Sequence, residues 1–297
     1  MIVITAPTGH IGGRLLDILL ETSTRTGELR VIVRDPAKLP DAVRDRVDII
    51  TGSHGDPEVV DRAFAGADAV FWLIPPDMSA SSIDSVYTGF TGAATKALTT
   101  HGVGHVVGVS ALGRGTPVAG SAGHVTATLA VDDLIASTGV AYRALTNPSF
   151  MDNVVWQANS IRDTGIFTGT LPADYAAPLV ATRDIAAAAA TLLLDRSWTG
   201  TAEVPLLGPE DLTPTDMAHT ISEVLGREIH YEQESLDSLR AHLTARGAAP
   251  EIVTAFVDMM RAKNNGLDNA VPRTPATTTP TTFREWCTRT LAPAVFA

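Results

Sequence analysis

Gly9 and Gly12 stand three residues apart between a short β-branched run, Ile2-Val3-Ile4-Thr5, and an amphipathic stretch, Arg14-Leu15-Leu16-Asp17-Ile18-Leu19-Leu20. Strand, glycine turn and helix in that order form the arrangement that cradles a dinucleotide pyrophosphate. A bare Gly9 lets the backbone approach the phosphates, and a bare Gly12 lets the helix pack close to the strand. The free N–H groups at the helix start then face the anion. The usual spacing is Gly-x-x-Gly-x-x-Gly, and here Ala6 holds the first position. With 24 glycines in the chain, the pair alone also fits an ordinary strand-to-helix turn, so the flanking elements carry the reading.

The second chemical signal is Arg34, at the end of the apolar run Arg30-Val31-Ile32-Val33, with Lys38 four residues on. It falls about 20 residues past the glycine turn, where an acid binds the ribose hydroxyls of NAD and an arginine accommodates the 2′-phosphate of NADP. A guanidinium clamps phosphate with two parallel bonds, and a lysine adds a point charge. The pair therefore favours NADP(H) over NAD(H). Asp35 argues the other way, since it could take a ribose, and Arg34 and Lys38 could also be solvated surface charges.

Other reactive side chains point to less. Cys287 is the single cysteine, which excludes an intrachain disulfide and a cysteine-based metal cluster. His101 and His105 have metal-ligand spacing but straddle a Gly-Val-Gly break, so they do not share a helix face, and no metal site is expected. Asp132-Asp133 reads as a solvated helix face. A formal net charge of −11 opposes non-specific nucleic-acid binding. No run of 18 apolar residues predicts a membrane span, and no basic leader precedes the first strand, so a cytoplasmic protein is expected.

Elements able to position these residues follow in alternation. Strands are predicted at 30–33, 47–50, 69–74, 105–109 and 140–145, with helices at 57–65, 86–100 and 125–137 between them. Near-continuous apolar strands separated by helices mean a parallel sheet covered on both faces, with ligands at the strands' carboxyl ends. The fold class is α/β, a Rossmann-type doubly wound sheet with a smaller mixed α/β domain. The expected division is 1–150 for the nucleotide-binding domain and 151–297 for the pocket domain, with the alanine-rich helix 181–195, capped by Thr182, returning to the first. Thr213-Pro214-Thr215-Asp216 opens a helix to Leu225, Glu228–Tyr231 is a short strand, and Pro250–Lys263 is a helix whose Met259 and Met260 serve as a lid or as core. Thr282-x-x-Glu285 opens a final helix.

The chain resembles the NmrA-like branch of the extended short-chain dehydrogenase/reductase superfamily. The matching segments are Thr5-Ala6-Pro7-Thr8-Gly9-His10-Ile11-Gly12, Val33-Arg34-Asp35-Pro36-Ala37-Lys38-Leu39, Ala69 to Pro76, Leu145-Thr146-Asn147-Pro148-Ser149-Phe150-Met151-Asp152-Asn153 and Thr182-Arg183-Asp184-Ile185-Ala186. The resemblance implies NADP(H) binding and either a reductase or a cofactor sensor. It assigns the cofactor to Thr5, Thr8, Gly9, His10, Ile11, Gly12, Arg34, Lys38, Leu73, Ile74, Pro75, Ser110, Asn147 and Pro148. Ordinary members of the superfamily carry a Tyr-x-x-x-Lys pair on the helix after strand five. Here His124 and Thr128 occupy those positions, and none of the four tyrosines is followed by lysine at the fourth place. Ser110 still matches the family's serine.

Three readings stay open. A reductase would act on a small aromatic, quinone-like or carbonyl substrate, with His124 as general acid and Ser110 polarising a carbonyl, or with no protein acid where the product anion is stable. His124 could equally be a helix-start residue making a local hydrogen bond. A non-catalytic sensor would bind NADP(H) and a regulatory protein. A third reading is non-redox biosynthetic chemistry on the same fold. Ser149, Phe150, Met151, Asn153 and Trp156 are the candidates for a substrate pocket, with Phe150, Met151 and Trp156 as its apolar wall or, alternatively, as inter-domain packing.

Overall fold

A computed structural model describes residues 1–22 and 27–297. The strands are β1 (Ile2–Ile4), β2 (Leu29–Val33), β3 (Asp48–Thr51), β4 (Ala69–Trp72), β5 (His105–Ala111), β6 (Ala141–Asn147), β7 (Ser149–Phe150), β8 (Ile166–Gly169), β9 (Ala177–Val180), β10 (Thr201–Pro205), β11 (Asp211–Leu212) and β12 (His230–Gln233). Seven of them form one sheet in the order β10-β6-β5-β4-β1-β2-β3. The α/β class with a Rossmann-type sheet is therefore what these residues build. The pairs β2–β3, β1–β2, β1–β4 and β4–β5 are parallel. Ile4 lies opposite both Val31 and Phe71, so the carboxyl ends of β1, β2 and β4 come into line and their following loops share one edge.

The chain divides into two compact units. The first comprises Met1–Ser110, Ala127–Thr146 and Ile185–Val204, and the second Ala111–Thr126, Asn147–Asp184 and Pro205–Ala297. In the first, strands that are buried on both faces supply an aliphatic core around Phe64, Trp72, Ile135 and Tyr142. In the second, Met151, Ile161, Phe167, Ile221, Phe283 and Trp286 form a separate core, with the last two rings stacked at 5.5 Å. Among the described residues no helix is long and apolar enough to cross a membrane.

Local chemistry explains the element ends. Asp56 caps the helix Pro57–Phe64, accepting from the Glu58 N–H. Thr213 and Asp216 complete a reciprocal capping box at Pro214–Leu225, which ends at the left-handed Gly226. The structure departs from the sequence reading at four elements. The helix expected over 86–100 breaks at Tyr87 into Ile83–Val86 and Thr88–His101, because Tyr87 leaves helical geometry. Thr182 does not cap its helix. Its N–H and hydroxyl both donate to the Asp152 carboxylate, at 3.1 and 2.8 Å, so Asp152 satisfies the helix end. The final helix is helical in Phe283–Trp286 and Ala292–Phe296 but widens over Cys287–Leu291, where Pro293 cannot donate a backbone hydrogen bond. Asp132 is the fourth: it is buried rather than solvated, while Asp133 is exposed.

Candidate active site

The turn after β1 is tightly built. Ala6 sits in the left-handed region with φ 50°, the one described non-glycine residue to do so. It meets without glycine the conformational demand that the first motif glycine ordinarily meets. The Ala6 carbonyl accepts from the Gly9 N–H at 3.1 Å. A β-carbon on Gly12 would stand 2.2 Å from that same carbonyl oxygen, so only glycine lets the helix His10–Thr22 start there. A β-carbon on Gly9 would meet the oxygen at an ordinary 3.5 Å. The two glycines therefore have different tasks, one packing and one exposure.

An open cleft of about 590 Å³ lies against this turn. Its wall comprises the turn residues Ala6, Pro7, Thr8 and Gly9, the end of β2 with Ile32, Val33 and Arg34, the loop Gly52, Ser53 and His54 after β3, and Pro75, Pro76, Asp77, Ser79, Ser85, Val86 and Phe90 beyond β4. The volume is within the range of small-molecule and cofactor sites. The residues fit a dinucleotide: a bare glycine turn at a helix start for the pyrophosphate, and an exposed arginine at the next strand's end for a ribose phosphate. Burial pulls the His54 pKa down to about 4, and the Arg34 charge adds a little to that lowering. Arg34 also adds to the lowering of Asp77, whose carboxylate is held chiefly by the Ser79 hydroxyl and N–H at 2.7 and 2.9 Å.

The candidate cofactor residues divide. Thr8, Gly9, Arg34 and Pro75 line the cleft. His10, Ile11 and Gly12 form the start of the helix behind it. Thr5 is fully buried. Its hydroxyl donates to the Phe71 carbonyl at 3.0 Å and accepts from the Leu73 N–H at 2.9 Å, so it ties β1 to the end of β4. Lys38 is exposed on the turn Pro36–Lys38 and is not part of the wall. Asp35 caps that turn by accepting the Ala37 N–H at 3.0 Å. Leu73 contributes its carbonyl to His54, and it and Ile74 lie just before the lining residue Pro75. Asn147 and Pro148 are buried, and the Asn147 carbonyl accepts from the Leu112 N–H at 3.0 Å.

Ser110 is buried at the end of β5, where its hydroxyl donates to Asp132 at 2.5 Å. The other Asp132 oxygen accepts from the Tyr142 hydroxyl at 2.6 Å. Gly108 leaves the room this requires, since a β-carbon there would stand 2.3 Å from the Tyr142 hydroxyl. The sequence placed Ser110 as a carbonyl-polarising donor; its proton is instead directed at a carboxylate. His124 belongs to the second unit, half-buried, with its ring edge-on to Phe256 and a hydrogen bond to the Ile252 backbone. Burial holds its pKa below the usual imidazole range. Thr128, in the lysine position, is hydrogen-bonded to the Tyr87 phenol, whose burial raises its pKa against that bond.

In the second unit Ser149 and Phe150 form β7, and Met151 is core, within reach of the position a Gly208 β-carbon would take. Asn153 is exposed, and Trp156 is 78% exposed. Phe150, Met151 and Trp156 thus do not make one apolar wall, because Met151 faces the interior. Met259 and Met260 are half-buried. His54, in the cleft wall, was not singled out by the sequence reading. Its place between Gly52 and Gly55, directly after a predicted strand, is the one local signal that could have found it.

Residues 7–196 match the NAD(P)H-binding family. The chain belongs to that family. It is 30% identical over 295 residues to a (4-alkanoyl-5-oxo-2,5-dihydrofuran-3-yl)methyl phosphate reductase of Streptomyces griseus, covering 96% of each chain. It is 25% identical over 259 residues to quinone oxidoreductase 2 of Escherichia coli K12, covering 87% of this chain and 86% of that one. Its fold is similar to that of the Citrobacter sp. triphenylmethane reductase complexed with NADP(H), with a TM-score of 0.77, 20% identity, and coverage of 99% and 100%. With such relatives along nearly its full length, this family member is an NAD(P)H-binding oxidoreductase.

Proposed function

We propose that the protein is an NADPH-dependent reductase of a small, electron-poor conjugated acceptor, quinone-like, aromatic or carbonyl-bearing. The observation that carries this reading is the commitment of Ser110 to Asp132 together with the missing Tyr-x-x-x-Lys pair. A simple carbonyl needs a proton donor as its alkoxide forms. A quinone or an enone spreads the negative charge over its own conjugated system, and solvent can protonate it afterwards. A bound NADPH supplies the hydride. The chain's part is to hold the phosphates at the glycine turn and Arg34 and to orient the dinucleotide along the strand ends. The relatives support this class: one is named for a quinone, and the other for a dihydrofuran bearing oxo and alkanoyl groups. Segments 5–12, 33–39 and 145–153 support placing the chain in the NmrA-like branch.

The preference for NADPH rests on Arg34 in the cleft wall and on Asp35, whose carboxylate is engaged as a cap. Arg34→Ala should raise the Kd for NADPH roughly tenfold or more, the loss of a charge-assisted contact of ~1.5–3 kcal/mol, and change NADH binding little. Equal wild-type affinities for the two dinucleotides, unmoved by the substitution, would refute the preference.

The activity is tested by following NADPH absorbance with quinones, enones, aldehydes and imines. Quinones or enones should be reduced and simple aldehydes should not. Because burial keeps His124 short of protons at neutral pH, His124→Ala should retain turnover within about threefold. A loss of two orders of magnitude would restore His124 as the acid. Tight NADPH binding without turnover of any acceptor would favour a sensor.

A further inference from the structure

The peptide that leaves β4 is held by side chains rather than by the sheet. The pairing of β4 with its neighbours ends at Phe71 and Trp72, so Leu73 lies beyond the ladder. Pro75 and Pro76 follow in the cleft wall and have no N–H with which to anchor themselves. The Leu73 N–H donates to the Thr5 hydroxyl at 2.9 Å. The Thr5 proton goes to the Phe71 carbonyl at 3.0 Å, the Leu73 carbonyl being farther off at 3.5 Å. That Leu73 carbonyl is instead 2.9 Å from Nε2 of His54, in the loop after β3. A carbonyl oxygen only accepts, so Nε2 carries the proton and donates it there. The ring of His54 is itself fixed, 7% exposed and edge-on to Trp72 at 5.2 Å and Phe90 at 4.9 Å between centroids. Gly55 makes room for this, since a β-carbon there would lie 2.5 Å from the Phe90 ring.

Strand order says what this peptide adjoins. In the sheet, β4 and β2 flank β1 on opposite sides. The pyrophosphate belongs at the turn after β1 and the adenosine ribose at the end of β2, marked by Arg34, so the nicotinamide half runs past the end of β4. Charge and backbone N–H groups hold the phosphates, whereas the nicotinamide half rests on a wall that begins at the Leu73 peptide. We propose that His54 is a positioning residue for hydride transfer: by holding the Leu73 carbonyl it fixes the exit of β4, and with it the way the nicotinamide is presented. This rests on the reading of the cleft as the dinucleotide site. A misplacement of about 1 Å, caused by a residue remote from the chemistry, can cost on the order of a hundredfold in rate. Burial holds the imidazole neutral at physiological pH, so the donation from Nε2 brings no charge into the wall.

Two substitutions separate donation from packing. His54→Phe keeps a ring between Trp72 and Phe90 but has no donor, and His54→Gln keeps an N–H at similar reach but no ring. In the protein without cofactor, hydrogen exchange of the Leu73 amide should quicken about tenfold in His54→Phe and stay within about threefold of wild type in His54→Gln. The phosphate contacts are untouched, so His54→Phe should change the Kd for NADPH by less than about threefold. Its kcat for a quinone should nevertheless fall about tenfold, and the fluorescence anisotropy of the bound reduced nicotinamide should drop. His54→Gln should keep both near the wild-type values. A His54→Phe protein that matches wild type in exchange, anisotropy and kcat would overturn the inference. So would a His54→Gln protein as impaired as His54→Phe, since packing would then be the whole of the effect. Either result leaves the cofactor site standing, and exchange and anisotropy decide the matter without any acceptor. Failure of wild type to bind NADPH would overturn the cofactor reading and this inference with it.

Discussion

Gly12→Val will yield little folded protein, whereas Gly9→Val will fold and lose dinucleotide binding. The opposite outcomes follow from one carbonyl. At Gly12 any β-carbon would press to 2.2 Å from the Ala6 oxygen, against backbone that is already held in the left-handed region. Neither partner is the flexible end of a side chain, so β1 and the helix His10–Thr22 must separate. Overpacking in a close-packed interior costs about 1–3 kcal/mol, and a rigid backbone contact places this case at or beyond the upper end. At Gly9 the same addition meets ordinary contact distance and projects from a residue that lines the cleft. A valine there would occupy the approach of the pyrophosphate, and NADPH affinity should fall by two orders of magnitude or more. Thermal unfolding and fluorescence titration separate the two effects. Normal NADPH binding by Gly9→Val would mean that the turn is structural alone.

Asp132→Ala is the second large effect. Its carboxylate accepts from two buried hydroxyls, Ser110 and Tyr142, and both would lose that acceptor with no solvent at hand. A hydrogen bond to a charged group contributes about 1.5–3 kcal/mol, and stranding buried donors adds their desolvation. A loss of about 3 kcal/mol or more in denaturant unfolding is expected. Ser110→Ala and Tyr142→Phe should each cost less, because each removes one donor and leaves the carboxylate bonded to the other hydroxyl. Combining all three substitutions should recover part of the Asp132→Ala loss, since the stranded donors are then gone. Additive losses across the combination, or an Asp132→Ala effect under about 1 kcal/mol, would contradict a coupled network.

The alternation of strand and helix was legible because it depends on periodicities that burial on two faces imposes, and β1 to β6 follow the apolar runs closely. The glycine turn was legible for the same local reason. Ala6 shows the limit: the motif's spacing appears broken in letters, yet the backbone adopts the conformation that the missing glycine would serve. What a side chain faces was harder to read. Asp132 follows a valine and precedes another aspartate, and nothing local says that Tyr142 and Ser110 wait for it across the fold. Thr5 matched a cofactor-binding segment of the family, and its hydroxyl is engaged by the backbone at the end of β4. His54 belongs to no periodic pattern, and its ring environment is built by Trp72 and Phe90 from distant segments. Such partners are properties of tertiary arrangement, which neither spacing nor propensity encodes.

The way the two units share the chain bears on how the protein is made. The first unit is written in three separate stretches, the last ending at Val204, and the edge strand β10 lies in that last stretch but for its final residue. On a ribosome adding about 5–20 residues per second, the strands through β6 are synthesised several seconds before the final edge strand and the helix Thr182–Leu194. Until then the nascent sheet carries an unpaired edge at β6, the kind of surface that invites pairing with another chain. A product truncated near residue 150 should therefore aggregate rather than persist as a domain. The intervening stretch 147–184 must be passed over, its own unit unfinished, before the first can close.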